Sequence, residues 1–403
     1  MKLNVDEKRW TLYRSNTQRH RTQSIIKDKE IQRQVELMKK LGIIRPSKQN
    51  RWSQVHLVPK PNGKWRFCID YRFLNECTKM EGGVLPRIKE MLHRIGDKKP
   101  RYYAVMDLTS GYHQAPLHED ASPMTAFVTS KGVFEWVRVP MGLKGAPSYF
   151  QREMSQTVLG GLIGYGVELY LDDCIVYGQT EDEFRLNLKA VFERFRAHNI
   201  TLNPEKCRFG LSSIEYLGHV IDQNGIHFSR EKIEKVLQFE TPVVVKDLMS
   251  FMGLVNYFGD HIPHLADELR LLREMEKECK KSKKLRWTEQ RREQFNKVKT
   301  IVNEMQELYF LNDTDPIRVY TDTSDYAIGG YVCQVVDNKE RPIGFMSKTL
   351  SAQQRKWTTT ERECYAIYMT LRKFEYLLRD VPFQLFTDHE NLVYLMIYRR
   401  IRC

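Results

Sequence analysis

The residues of this chain best placed for chemistry are acids at the ends of apolar runs. Tyr102-Tyr103-Ala104-Val105-Met106-Asp107-Leu108 reads as a buried strand closing on a carboxylate, followed by the turn sequence Thr109-Ser110-Gly111-Tyr112. Asp172 and Asp173 lie between two β-rich runs, 166–171 and 174–178, so a two-residue hairpin connection is expected there. Asp is tolerated in such turns, and a solvated surface turn is one reading. The flanking runs are apolar on both faces, which favours a covered hairpin, where adjacent carboxylates repel unless a cation offsets them. If the Asp107 strand neighbours that hairpin in one sheet, three hard oxygen ligands meet. Such a set suits two Mg²⁺ ions about 3.5–4 Å apart and in-line phosphoryl transfer.

A second set of acids follows the same logic. Ile317-Arg-Val-Tyr-Thr-Asp322 and Phe383-Gln-Leu-Phe-Thr-Asp388 are strands ending in Asp, and 327–334 is a further strand. Between them Thr359-Thr-Glu361-Arg-Glu363-Cys-Tyr-Ala-Ile367 opens a helix. Ile367, Leu371, Phe374 and Leu378 mark its buried stripe; Glu363 extends that stripe by one turn, while Glu361 points away. A carboxylate on an apolar face needs a reason, and a metal supplies one.

The elements that must position these acids follow from length and pattern. A chain of 403 residues, 41% hydrophobic and 29% charged, builds two or three packed domains. No run reaches the roughly 20 apolar residues of a membrane helix, and the first residues turn charged too early for a secretory signal. Eight cysteines stand without paired C-x-x-C spacing, which argues against a zinc site or a disulfide framework and suits an intracellular compartment. Whether that is a cytoplasmic particle or the nucleus stays open. The net charge of +13 leaves two readings, a merely basic soluble protein or a binder of polyanions. Residues 1–35 read as a flexible polar lead-in or as the ragged edge of a longer parent chain. Strands then alternate with helices; one helix is marked by a capping box, Thr180 with Glu183, and by Phe184, Leu188, Val191, Phe192 and Phe195, with Asn199 at its exit. Between about 242 and 313 strands vanish, helices at 246–258 and 289–305 remain, and the charged 274–284 stretch reads as a solvated face or linker.

Ordered blocks then point to a family. They are Leu41-Gly-Ile-Ile-Arg-Pro-Ser47, the Val58–Asn75 run with its core Lys60-Pro-Asn-Gly-Lys-Trp-Arg66, and Met106-Asp107-Leu-Thr-Ser-Gly-Tyr112-His-Gln114. Met141-Gly-Leu-Lys-Gly-Ala-Pro147-Ser-Tyr-Phe-Gln151, Tyr170-Leu-Asp-Asp173 and Tyr216-Leu-Gly-His219 complete the set. In this order they resemble the reverse transcriptases of gypsy-type LTR retrotransposon Pol polyproteins and, more distantly, those of retroviruses.

The resemblance implies an α+β right-hand polymerase: lead-in 1–35, fingers and palm 36–240, helical thumb and connection 241–315, and an incomplete ribonuclease H-like α/β domain 316–403. Asp107, Asp172 and Asp173 would hold two Mg²⁺ ions, one activating a primer 3′-hydroxyl and one holding the incoming dNTP. Lys60 and Arg66 would fold over the triphosphate, though solvated hairpin charges are the bland alternative. Tyr112 would lie under the sugar and exclude a 2′-hydroxyl, Gly142 and Gly145 would let backbone approach substrate, and Tyr216–His219 would form the primer grip. Met141 stands where retroviral enzymes usually carry Gln and offers no hydrogen-bond donor. Lys206 in Asn203-Pro-Glu-Lys206 reads as an acid for the pyrophosphate leaving group or as a solvated lysine. Asp322, Glu363 and Asp388 resemble the first three acids of ribonuclease H, with Mg²⁺ or Mn²⁺ as cofactor. The family's fourth acidic position would lie beyond Cys403, so weak or absent hybrid cleavage is expected. Expected partners are an RNA or DNA template–primer duplex, RNA–DNA hybrid and dNTPs, with a dimer or the parent polyprotein as context. Two alternatives remain: an inactive nucleic-acid-binding relic, and an RNA-templated RNA polymerase, which Tyr112 disfavours.

Overall fold

The computed structural model describes residues 1–12, 17–60, 63–80, 82–312, 314–390 and 392. The chain divides into two compact units, Met1–Met91 with Tyr102–Leu211, and Leu92–Arg101 with Ser212–Cys403.

In the first unit the apolar runs around the acids become one antiparallel sheet, ordered Arg208–Leu211, Tyr102–Asp107, Asp173–Gly178, Val167–Tyr170. Its central strands read as continuous apolar text because both faces are covered: Tyr103, Ala104, Met106 and the Cys174–Tyr177 side chains are all buried. Helix Glu181–Ala197 packs on it through Phe184, Val191 and Phe195. Thr180 caps that helix by accepting from the Glu183 N–H, Glu183 accepts from Gln179 N, and Asn199 takes the left-handed exit at φ 55°. Phe192 departs from the expected stripe; it is exposed and touches Phe209. A five-stranded sheet, ordered Ile44–Pro46, Gly132–Trp136, Phe127–Thr129, Ser53–Pro59, Trp65–Ile69, lies in the same unit.

The described residues of the lead-in are not the flexible tail expected from the sequence. Asn4–Val5 pairs with Thr78–Lys79, Trp10 is buried and stacks on Phe73, and helix Ile25–Lys40 buries Ile31, Val35 and Met38 in the shared core. Its apolar residues are sparse but correctly spaced, so low hydrophobicity hid a one-sided helix.

In the second unit, strands Ser213–Tyr216, His219–Asp222, Gly225–His227 and Leu308–Tyr309 form a small sheet. The last of these corrects the expectation that strands vanish from 242 to 313. Helices Arg230–Leu237, Val245–Tyr257, Arg270–Cys279 and Glu289–Asn303 share one apolar core. The charged stretch is therefore helical as far as Cys279, because Leu272, Met275 and Cys279 fall on one face and are buried. A four-stranded sheet, Lys339–Thr349, Ala327–Val336, Ile317–Thr323, Phe383–Phe386, carries helix Thr359–Lys373 against it; only the pairing of Ile317–Thr323 with Phe383–Phe386 is parallel. Among the described residues no helix is long and apolar enough to cross a membrane.

Candidate active site

Cross-strand register brings the first acids together. Asp107 and Asp173 are direct partners in the antiparallel pair, and Asp173 is also the partner of Tyr170 across the hairpin. Leu171 and Asp172 are thus the two connecting residues, one position earlier than the Asp172-Asp173 connection expected from the sequence, because Asp173 is already a paired strand residue. The Leu108 N–H donates to Asp172 O (3.2 Å), fastening the turn to the end of the Asp107 strand.

The turn is strained at Leu171, which sits at φ 55°, a region costly for a bulky side chain. Gln151, on helix Ala146–Arg152 and 4% exposed, holds it there. Its Nε2 donates to Leu169 O (2.9 Å) and its Oε1 accepts from Leu171 N (2.7 Å). In the sequence Gln151 is only the last residue of the Met141–Gln151 block. A polar residue directly after the apolar Tyr149-Phe150 pair was the available signal. Gly111 also matters here: a Cβ on it would lie 3.2 Å from both the Asp172 Cβ and the Phe150 ring.

Repulsion shapes the cluster. Burial, then the charges of Asp172 and Asp107, push the Asp173 carboxyl up to about 6, and Lys206 partly offsets them. Lys206 reaches the site because the segment before it is laced to the strand end, with Asn203 N donating to Asp107 O (2.9 Å) and Thr109 N to Thr201 O (3.0 Å). Its Nζ donates to Asp107 Oδ2 at 2.9 Å, and this bond holds the ammonium above the usual lysine range. In this state Lys206 is the counter-cation of the acids.

The other predicted residues surround the site or stand apart from it. Tyr112 is half-buried with its ring 5.1 Å from Phe150, and burial followed by the Asp172 charge raises its hydroxyl. Gly142 (φ 93°) and Gly145 (φ 84°) take conformations that favour glycine. Gly142 O accepts from Asn75 Nδ2 (2.8 Å), and the exposed Met141 side chain projects beside it. Lys60 and Arg66 are both exposed on the hairpin of Ser53–Pro59 and Trp65–Ile69. The turn between them is closed by Lys60 N to Lys64 O (2.8 Å), while its Pro61-Asn62 part, like the chain end at Cys403, lies outside the described residues.

In the second unit, Asp322, Glu363 and Asp388 offer ligand oxygens all within 4.8 Å of one another. Among the described residues no other three His, Cys, Asp or Glu ligand atoms gather that closely, the acids around Lys206 included. Glu363 is 2% exposed; its Oε1 accepts from Thr323 Oγ1 (2.7 Å), and its buried Oε2 has no partner among the described residues. Burial, then Asp388 and Asp322, raise the Glu363 carboxyl. Glu361, as predicted, faces away and closes a capping box with Thr358. Thr323 was missed by the sequence reading, since nothing local distinguishes it from neighbouring threonines.

Similarity to known proteins agrees with this geometry. Residues 58–221 match the family model "Reverse transcriptase (RNA-dependent DNA polymerase)", and residues 287–385 match "RNase H-like domain found in reverse transcriptase". The Pol polyprotein of transposon opus from Drosophila melanogaster is 32% identical over 381 residues, which cover 91% of this chain and 38% of that protein. The Tf2-3 polyprotein of Schizosaccharomyces pombe is 31% identical over 357 residues, 88% of this chain and 26% of that one. This chain therefore spans well under half of those relatives. The foamy viral protease-reverse transcriptase in complex with RNA/DNA hybrid superposes with a TM-score of 0.81 at 21% identity, covering 94% of this chain and 50% of that one. Its complex with dsDNA gives a TM-score of 0.82 at 21% identity and covers 95% of this chain and 79% of that one. The chain carries the reverse-transcriptase domain and the RNase H-like domain found in retrotransposon Pol polyproteins.

Proposed function

We propose that this chain is the RNA-directed DNA polymerase part of a gypsy-type LTR element, extending a primer with dNTPs on an RNA or DNA template. The observation that carries this reading is the register placing Asp107 opposite Asp173, with Asp172 in the adjoining turn.

All three side chains are hard oxygen donors, and their mutual repulsion needs more positive charge than Lys206 provides. That donor set fits Mg²⁺, which when bound would activate the primer hydroxyl and balance the charge of the triphosphate. Asp107, Asp172 and Asp173 would hold it. Lys206 would then leave Asp107 and present a proton to the departing pyrophosphate. Tyr112 would sit beneath the deoxyribose and bar a 2′-hydroxyl. Lys60 and Arg66, free of ion pairs among the described residues, would close on the triphosphate. Met141 contributes no hydrogen bond there; its contact would be apolar. The net charge of +13 supports a duplex held by its phosphates, with affinity that falls steeply with salt.

Asp322, Glu363 and Asp388 would hold one divalent ion, and the unpartnered Glu363 Oε2 supports this. Hybrid cleavage is the reaction such acids serve.

Incorporation of labelled dTTP on poly(rA)/oligo(dT) with Mg²⁺ tests the polymerase reading. Incorporation lost in Asp172→Asn supports it. No incorporation with any divalent metal, although duplex still binds, would favour an inert relic instead.

A further inference from the structure

Strands Ser213–Tyr216 and His219–Asp222 are joined by Leu217 and Gly218, both in left-handed backbone at φ 49° and 84°. A two-residue turn with both centres left-handed matches the twist of its strands. Gly218 adopts it freely; Leu217 does so against its preference.

Two side chains from the following helices hold this tip. The Lys232 ammonium, from helix Arg230–Leu237, donates to Gly218 O. The Tyr257 hydroxyl, at the end of helix Val245–Tyr257, lies 3.5 Å from Leu217 O. Among the described residues neither the Leu217 nor the Gly218 amide N–H has an acceptor. The tip therefore turns its carbonyls inward and keeps two donors free, a polarity that suits an anion.

A second layer fixes the same parts. Lys232 pairs with Glu215 at 2.9 Å and lies 5.8 Å from the Tyr257 ring centroid. His219, just past the tip, has its ring 4.9 Å from Phe228 and 5.8 Å from Tyr257. A Cβ on Gly218 would collide with both the Tyr257 hydroxyl and the Lys232 ammonium.

We infer that Lys232 and Tyr257 are positioning residues that clasp this hairpin tip in the shape that receives a phosphodiester backbone. The inference rests on reading the hairpin as the primer-gripping element of a polymerase.

The test uses the full chain with Lys232→Met, Tyr257→Phe and Lys232→Arg, each checked for wild-type melting. Equilibrium binding of a fluorescent primer–template duplex in Ca²⁺ is measured first, then product length under a heparin trap and the KM for dNTP. Losing a charge-assisted hydrogen bond predicts binding about five- to tenfold weaker in Lys232→Met, with shorter products and KM within about twofold of wild type. Lys232→Arg should regain most of the loss, and Tyr257→Phe should lose about two- to threefold. Wild-type affinity and product length in Lys232→Met would overturn the inference, as would a KM rising in step with the binding loss. The binding arm needs no turnover. A wild-type chain that binds duplex but adds no nucleotide would sink the polymerase reading, while the binding arm still decides the clasp.

Discussion

Gln151 bonds to Leu169 O and Leu171 N, so both ends of its amide are engaged at the turn carrying Asp172. Gln151→Met keeps the volume and removes both bonds. We predict a stability loss of about 1–3 kcal/mol and a fall in kcat of on the order of tenfold or more, with KM for dNTP little changed. Urea unfolding and steady-state extension check this, and an unaltered kcat would contradict it. Asp173 gives a second prediction at this scale. Its carboxyl is raised to about 6 in the folded chain, so the folded state keeps a proton that the unfolded state releases. Stability of the metal-free protein should therefore fall as pH rises from about 4 to 6 and level off above that. Melting in EDTA should show Asp173→Asn gaining on wild type across that window. A gap that ignores pH would refute it. Asp107, Asp172 and Asp173 were readable because an acid closing an apolar strand is conspicuous in a single line of text. Gln151 and Thr323 were not, since their partners come from other elements, and the Lys206–Asp107 bond needs the lacing of 201–203 to the strand end.

Periodicity disclosed the elements best where apolar residues are dense. Helix Glu181–Ala197, with its cap and exit, was legible, as was the face that Glu363 shares with Ile367 and Phe374. Composition misled where the apolar face is narrow. Helix Arg270–Cys279 is mostly charged, and the charges drowned the signal of Leu272, Met275 and Cys279. The difference is measurable. Leu272, 0% exposed, should cost about 2–5 kcal/mol when changed to Ala, whereas Lys277→Ala should fall within about 0.5 kcal/mol. Equal, negligible effects would return the segment to a solvated linker. The lead-in hides its packing for the same reason: Trp10, Ile31 and Val35 are few, but each is buried.

On the scale of the whole molecule, two acid clusters stand in two compact units. Three carboxylates meet in the second cluster and, among the described residues, no fourth joins them. A single ion held there would support binding better than two-metal hydrolysis, so cleavage of a labelled RNA–DNA hybrid should be far slower than primer extension. Fast cleavage abolished by Asp322→Asn would contradict that. For the first cluster the central claim is that acids sixty-five positions apart work as one site. Single-turnover incorporation of one dNTP on an RNA template, compared across wild type, Asp107→Asn, Asp172→Asn and the double variant, tests it most directly. Groups that act as a unit predict a loss of about a thousandfold or more for each single variant and little further loss for the pair. Incorporation by Asp107→Asn within tenfold of wild type, or losses that simply multiply, would show that the two acids do not share a centre.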